Sequence, residues 1–200
     1  MGNVRVRALK FLAALTTIFV ATAAVPARAS LMVPLDLTEL VRRSDHIAVA
    51  DVVSVQAAWD AKHERILSTI KLSVVEAWKG SATPATRITI VQPGGTVGDI
   101  TMVVFGMSQF QPGERALLFL RGTMGAAAVV GMTQGKRPVT RDLATGKWMA
   151  QGPDRSGVVF TRPVGSGDPA AAVATPESAL RPRTLDEIHE DVRTLIKAAR

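Results

Sequence analysis

Chemistry, if this chain performs any, has to come from three histidines, a few neighbouring acids or one glycine-rich stretch. His46, His63 and His189 lie far apart, and no H-E-x-x-H or H-x-H pairing joins them. A zinc site made from all three needs long-range convergence, because a catalytic zinc takes three protein ligands. The ordinary reading is surface or half-buried histidines. A serine hydrolase of the elbow type needs G-x-S-x-G; the nearest run, Gly106 to Phe110 (GMSQF), lacks the last glycine. Asp51, Asp60, Glu64 and Glu76 fall close together in the chain. Glycoside chemistry needs two carboxylates at a fixed separation across a cleft, whereas solvated or bulge-facing acids need nothing special. No catalytic residue, metal ligand or cofactor is assigned.

The stretch Arg87 to Asp99, RITIVQPGGTVGD, raises the question of a phosphate cradle. Such a cradle gathers backbone N–H groups at the start of a helix. Here the glycines precede ITMVVFG, a β-branched, strand-like run, and no Lys-Ser or Lys-Thr pair closes the motif. Pro93-Gly94-Gly95 instead reads as a turn, proline setting φ and glycine supplying positive φ.

The N-terminus carries a different signal. Arg5, Arg7 and Lys10 precede an uncharged apolar run from Phe11 to Val25, and Ala27-Arg28-Ala29 has the small-residue cleavage pattern. This is the pattern of a secretory signal peptide over residues 1–29, so the exported chain is expected to start at Ser30 and to be periplasmic or secreted. The run is short for a spanning helix, and stable membrane insertion is not expected after cleavage. Removing the segment takes away Arg5, Arg7, Lys10 and Arg28. The balance becomes 20 basic residues against 17 acids, +3 in place of +7. With no basic stripe interleaved with aromatics, nucleic acid is a poor partner. The chain has no cysteine, so an exported form relies on packing alone.

The elements that must position any site are mostly strands. PLDLTELVRRSD reads as a short helix, with Asp36 as cap, Glu39 in capping-box position, and Leu37, Leu40 and Val41 facing the core. HIAVADVVSVQAAW and ILSTIKLSVVEAWKG form a long hairpin around the polar tip DAKHER. In the first run Ile47, Val49, Val53 and Val55 share one face and Ala48, Ala50 and Val52 the other, a switch that suggests a bulge. In the second, Ile66, Ile70, Leu72, Val74 and Trp78 point one way. RITIVQ is a third strand. RALLFL is apolar enough to be buried on both faces. AAAVVGM and KRPVTRD are two more strands, and TGKWMAQGPD a last small hairpin. Ile70, Leu72, Val74, Ile88 and Leu118 are expected to share one core.

Residues 165–183 are rich in proline and small residues and read as a linker. Residues 184–200 read as a helix capped by Thr184 and Glu187, with Leu185, Ile188, Val192, Leu195 and Ile196 as one apolar stripe. The stripe is too large to leave in water and is expected to dock on the β domain of residues 30–164, with docking on a partner as the alternative. Many short strands flanked by two helices predict a mainly β fold, a small closed antiparallel barrel or a sandwich.

The order SDHIAVADVVSV, a polar tip, VVEAWKG and ITIVQPGG resembles a group of exported bacterial proteins of uncharacterised function. It is also similar to the netrin-like domains, which include the tissue inhibitors of metalloproteinases. The similarity covers roughly Ser44 to Leu120, with a strand ending in Lys79-Gly80. It implies a barrel of the oligonucleotide/oligosaccharide-binding type and a general protein-binding role. The inhibitors' N-terminal cysteine has no counterpart here, so their inhibitory residues do not carry over.

The expected function is therefore a non-enzymatic binding module for an unknown protein or envelope component, with an exported hydrolase of dispersed site residues as the alternative. Trp59, beside the polar tip, and Trp78, at the far strand end, are the candidate partner-binding aromatics; plugging the barrel ends is their other role. Lys79 and Lys136 complete the candidate contact residues, Lys136 also suiting a hairpin edge.

Overall fold

The computed structural model describes residues 30–152, 158–160 and 181–199. Residues 1–29, expected to be a signal peptide, and most of the expected linker, 165–183, lie outside these. In chain order the elements are β1 (Ser30–Met32), α1 (Leu37–Arg43), β2 (His46–Trp59), β3 (Ile66–Lys79), β4 (Arg87–Pro93), β5 (Gly95–Val97), β6 (Ile100–Met102), β7 (Arg115–Thr123), β8 (Ala126–Val129), β9 (Lys136–Arg141), β10 (Trp148–Ala150), β11 (Val158–Phe160), β12 (Arg183–Thr184) and α2 (Leu185–Ala198). A short 3-10 turn, Met132–Gly135, separates β8 from β9.

Five strands are hydrogen-bonded in a ring, in the order β2-β3-β4-β8-β7 and back to β2. All contacts are antiparallel except the single parallel pairing of β4 with β8 at Ile90 and Ala127. β9, β10 and β12 extend the sheet from β7. β1 pairs in parallel with β11, and β5 with β6 forms a separate small hairpin.

Two apolar clusters share this sheet. One draws on all five ring strands: Ala48, Ala50 and Val52; Ile70, Leu72 and Val74; Ile88 and Ile90; Ala116, Leu118 and Leu120; Ala127; with Phe110 added from a loop. The five residues expected to share a core all lie in it. The second cluster joins Ile47, Val49, Leu117, Phe119 and Val139 to Leu40 and Val41 of α1 and to Leu185, Ile188 and Val192 of α2. β7 therefore alternates between two dry faces, Ala116 to Leu120 all being buried, as the unbroken apolar run predicted.

The long hairpin departs from simple alternation. Its register shifts between Ile47 and Ala48, between Val49 and Ala50, and between Val52 and Ser54. Val53 falls in the last shift and is 47% exposed, so it does not share the buried face expected for it. Trp78 falls in the first, skipped between Ala77 and Lys79. It leaves the face of Leu72 and packs against the helix cluster. Bulges turn a side chain without breaking the strand.

Both helices are capped as their sequences require. Asp36 Oδ1 accepts from Glu39 N at 2.7 Å. Glu39 does not reciprocate as a capping box; its carboxylate takes Arg42 and Arg43, whose hydrogen bonds lower its pKa to about 2. Thr184 and Glu187 do form the full capping box of α2. Ile188 and Val192 are wholly buried, so the C-terminal helix docks on its own sheet.

Candidate functional site

The four candidate contact residues do not converge. Trp59 pairs with Ile66 at one end of the long hairpin, and Lys79 pairs with Ile47 at the other. At the tip, Trp59 is half-buried and its ring stacks on His63, centroids 6.3 Å apart. Asp60 orders this tip, accepting from Glu64 N at 2.8 Å and pairing with Arg65 at 3.1 Å. Those donors hold its pKa below the usual carboxylate range.

At the opposite end, Trp78 stacks on His189 of α2. Lys79 Nζ donates to the carbonyls of Val41, at 2.8 Å, and Ser44, at 2.6 Å. It thereby satisfies carbonyls left over at the end of α1. A groove of about 490 Å³ runs here between Val41, Arg42, Lys79, Leu195 and Ile196. Its cations are already engaged, Arg42 by Glu39 and Lys79 by the helix.

Lys136 is 8% exposed. Its ammonium pairs with Glu114, donates to the Gln109 carbonyl and lies 4.6 Å from the centre of the Phe110 ring. Its charge is compensated inside the domain, so it does not present a surface cation. Ser108, of the GMSQF run, is 2% exposed and its Oγ donates to Met132 O at 2.9 Å. The three histidines sit on the first ring strand, at the hairpin tip and on α2. Among the described residues no group of three or more His, Cys, Asp or Glu is arranged to hold a metal ion.

What the structure does assemble lies at the glycine-rich stretch. Pro93-Gly94-Gly95 is a kink between two strands; the tight turn comes later, at Gly98 and Asp99. Gly94 and Gly95 have φ of 110° and 130°. These swing the β5–β6 hairpin back as a flap over β2 and β3. Gly94 N donates to Ile66 O at 2.9 Å, and Ser68 Oγ donates to Gly94 O at 2.7 Å. A Cβ on Gly95 would stand 2.6 Å from Ser68 Oγ and 2.8 Å from Ala57 Cβ, so the flap can lie this close only because the residue is glycine.

Beneath the flap is a cleft of about 290 Å³. Val55, Ile70, Met102, Val104, Met107 and Phe110 form its apolar walls, and no charged residue lines it. Gln92, on the wall, donates from Nε2 to Ser108 O at 2.7 Å. Val103, at the mouth of the cleft, and Ile100 and Phe105 of the same segment are 64%, 54% and 52% exposed. This arrangement was not anticipated from the sequence; its signal was the pair of adjacent glycines followed by an apolar run too long for a three-residue strand. Comparison with protein-family models, with curated proteins and with solved structures finds no match to this chain.

Proposed function

We propose that this chain is an exported, non-enzymatic binding module that recognises a protein or another component of the cell envelope through the flap end of the ring. The observation that carries this reading is the band of Ile100, Val103 and Phe105, each more than half exposed beside an uncharged cleft. Large apolar side chains gathered on a surface mark sites of association. The ring order, with its one parallel contact between β4 and β8, further supports a small barrel of the oligonucleotide/oligosaccharide-binding type.

Binding is favoured over hydrolysis by the lining of the cleft, which offers no acid, histidine or lysine for proton transfer. The test is a photo-crosslinking residue at Ile100 in the exported protein, which is expected to give a discrete adduct in the envelope fraction. The adduct should vanish with Val103→Asp and be absent when the crosslinker stands at Leu143, an isolated residue on the β9–β10 turn. No adduct at Ile100, or equal adducts at both positions, overturns the reading. N-terminal sequencing of the exported protein should begin at Ser30.

A further inference from the structure

We propose that the cleft under the β5–β6 flap is an anchor pocket for one neutral aromatic side chain, presented by an extended segment of a partner protein. The proposal rests on the binding function above and names the chemistry of what is bound. Three properties of the cleft lead to it.

The first is charge. The walls carry only apolar groups, hydroxyls, amides and backbone. A charged side chain entering them would lose its water without gaining a counter-ion, which is costly. The second is size and texture. About 290 Å³ sits at the small end of ligand pockets and suits a single large ring. Met102 and Met107 line the cleft with Phe110. Thioethers adapt their shape and make favourable contacts with aromatic ring edges. Gln92 spends its Nε2 on Ser108 O, leaving Oε1 as acceptor for an indole N–H or a phenol O–H.

The third property separates a protein segment from a free small molecule. A ring filling the cleft leaves Ile100 and Phe105, which do not line it, still exposed. A polypeptide carrying that ring covers them as well, in the usual arrangement of an aromatic anchor surrounded by contacts that exclude water.

The experiment follows the methionine methyl signals of the protein by NMR during titration with N-acetyl-tryptophanamide and, separately, N-acetyl-lysinamide. Expected is a saturable shift of the Met102 and Met107 signals with the tryptophan amide alone, while Met124 and Met149 stay still. Met102→Trp should fill the cleft and abolish the shift. Should that variant fail to fold, Val103→Glu sets a charge at the mouth and should weaken the affinity roughly tenfold. No saturable shift, an equal response to the lysine amide, or unchanged affinity in a folded variant overturns the anchor pocket. In those cases a persisting crosslink from Ile100 shows that binding itself stands and only its aromatic anchor is wrong.

Discussion

The imidazole of His189 lies flat on the indole of Trp78, with ring centroids 4.6 Å apart and planes 1° from parallel. His189 Nδ1 is 3.3 Å from Glu76 Oε1. Strand β3 thus holds α2 by a surface stack at the edge of a buried stripe. His189→Ala should cost about 0.5–1.5 kcal/mol, whereas Ile188→Ala, at a wholly buried position, should cost about 2–5 kcal/mol. Urea unfolding measures both; equal losses would mean that the stack, not the stripe, holds the helix.

Asp51 and Arg115 face each other across β2 and β7. The guanidinium donates from Nε at 2.6 Å and from Nη2 at 2.8 Å, and lies 4.6 Å from the centre of the Trp148 ring. The Arg115 hydrogen bonds lower the Asp51 pKa, against a smaller opposing effect of burial. A folded pKa below the unfolded one adds stability that is present above the unfolded value, near 3.9, and is lost as pH falls through the folded value. Asp51→Asn should flatten that acid limb. At neutral pH its cost should stay at or under about 1 kcal/mol, because both side chains still meet water. Unfolding midpoints from pH 7 down to pH 2 check this, and an unaltered acid limb would count against the pairing.

Gly95 and Gly98 both have positive φ, yet only Gly95 is crowded. Gly95→Ala should destabilise by more than about 1 kcal/mol and loosen the flap, while Gly98→Ala, with open space around it, should cost only about 1 kcal/mol for its left-handed backbone. Amide exchange of β5 and β6 distinguishes them: faster exchange in the Gly95 variant alone is expected.

Leu72 and Leu118 lie in the ring core, both wholly buried. Truncation of either to alanine should cost about 2–5 kcal/mol. An unchanged thermal midpoint in both variants would mean that these strands do not meet.

Much of the fold was legible locally. The apolar run of RALLFL implied two dry faces, and β7 has them. Thr184 and Glu187 announced the start of α2, because a capping box needs only residues three apart. The inward residues of β3 and β4 followed from period-two alternation, which holds wherever the pairing is regular.

Alternation failed at Val53 and Trp78. A register shift inserts one residue and turns the side chains beyond it, and sequence period alone does not count residues on the partner strand. The same limit hid the fate of Lys136. A lysine near a turn reads as a surface cation until Glu114, Gln109 and Phe110, each more than twenty residues away in the chain, close around it.

By itself the sequence determined the long strands β2, β3, β4 and β7, both helices, where α2 begins and most of the side chains that fill the ring, since these depend on period, capping and apolar content within short windows. Only the tertiary structure decided that two glycines fold a flap over Ala57 and Ser68, that Trp78 meets a helix and not the ring core, and that a cleft opens under the flap. Those outcomes depend on close approach between segments distant in the chain, and close approach is set by the space left when all the strands are in place.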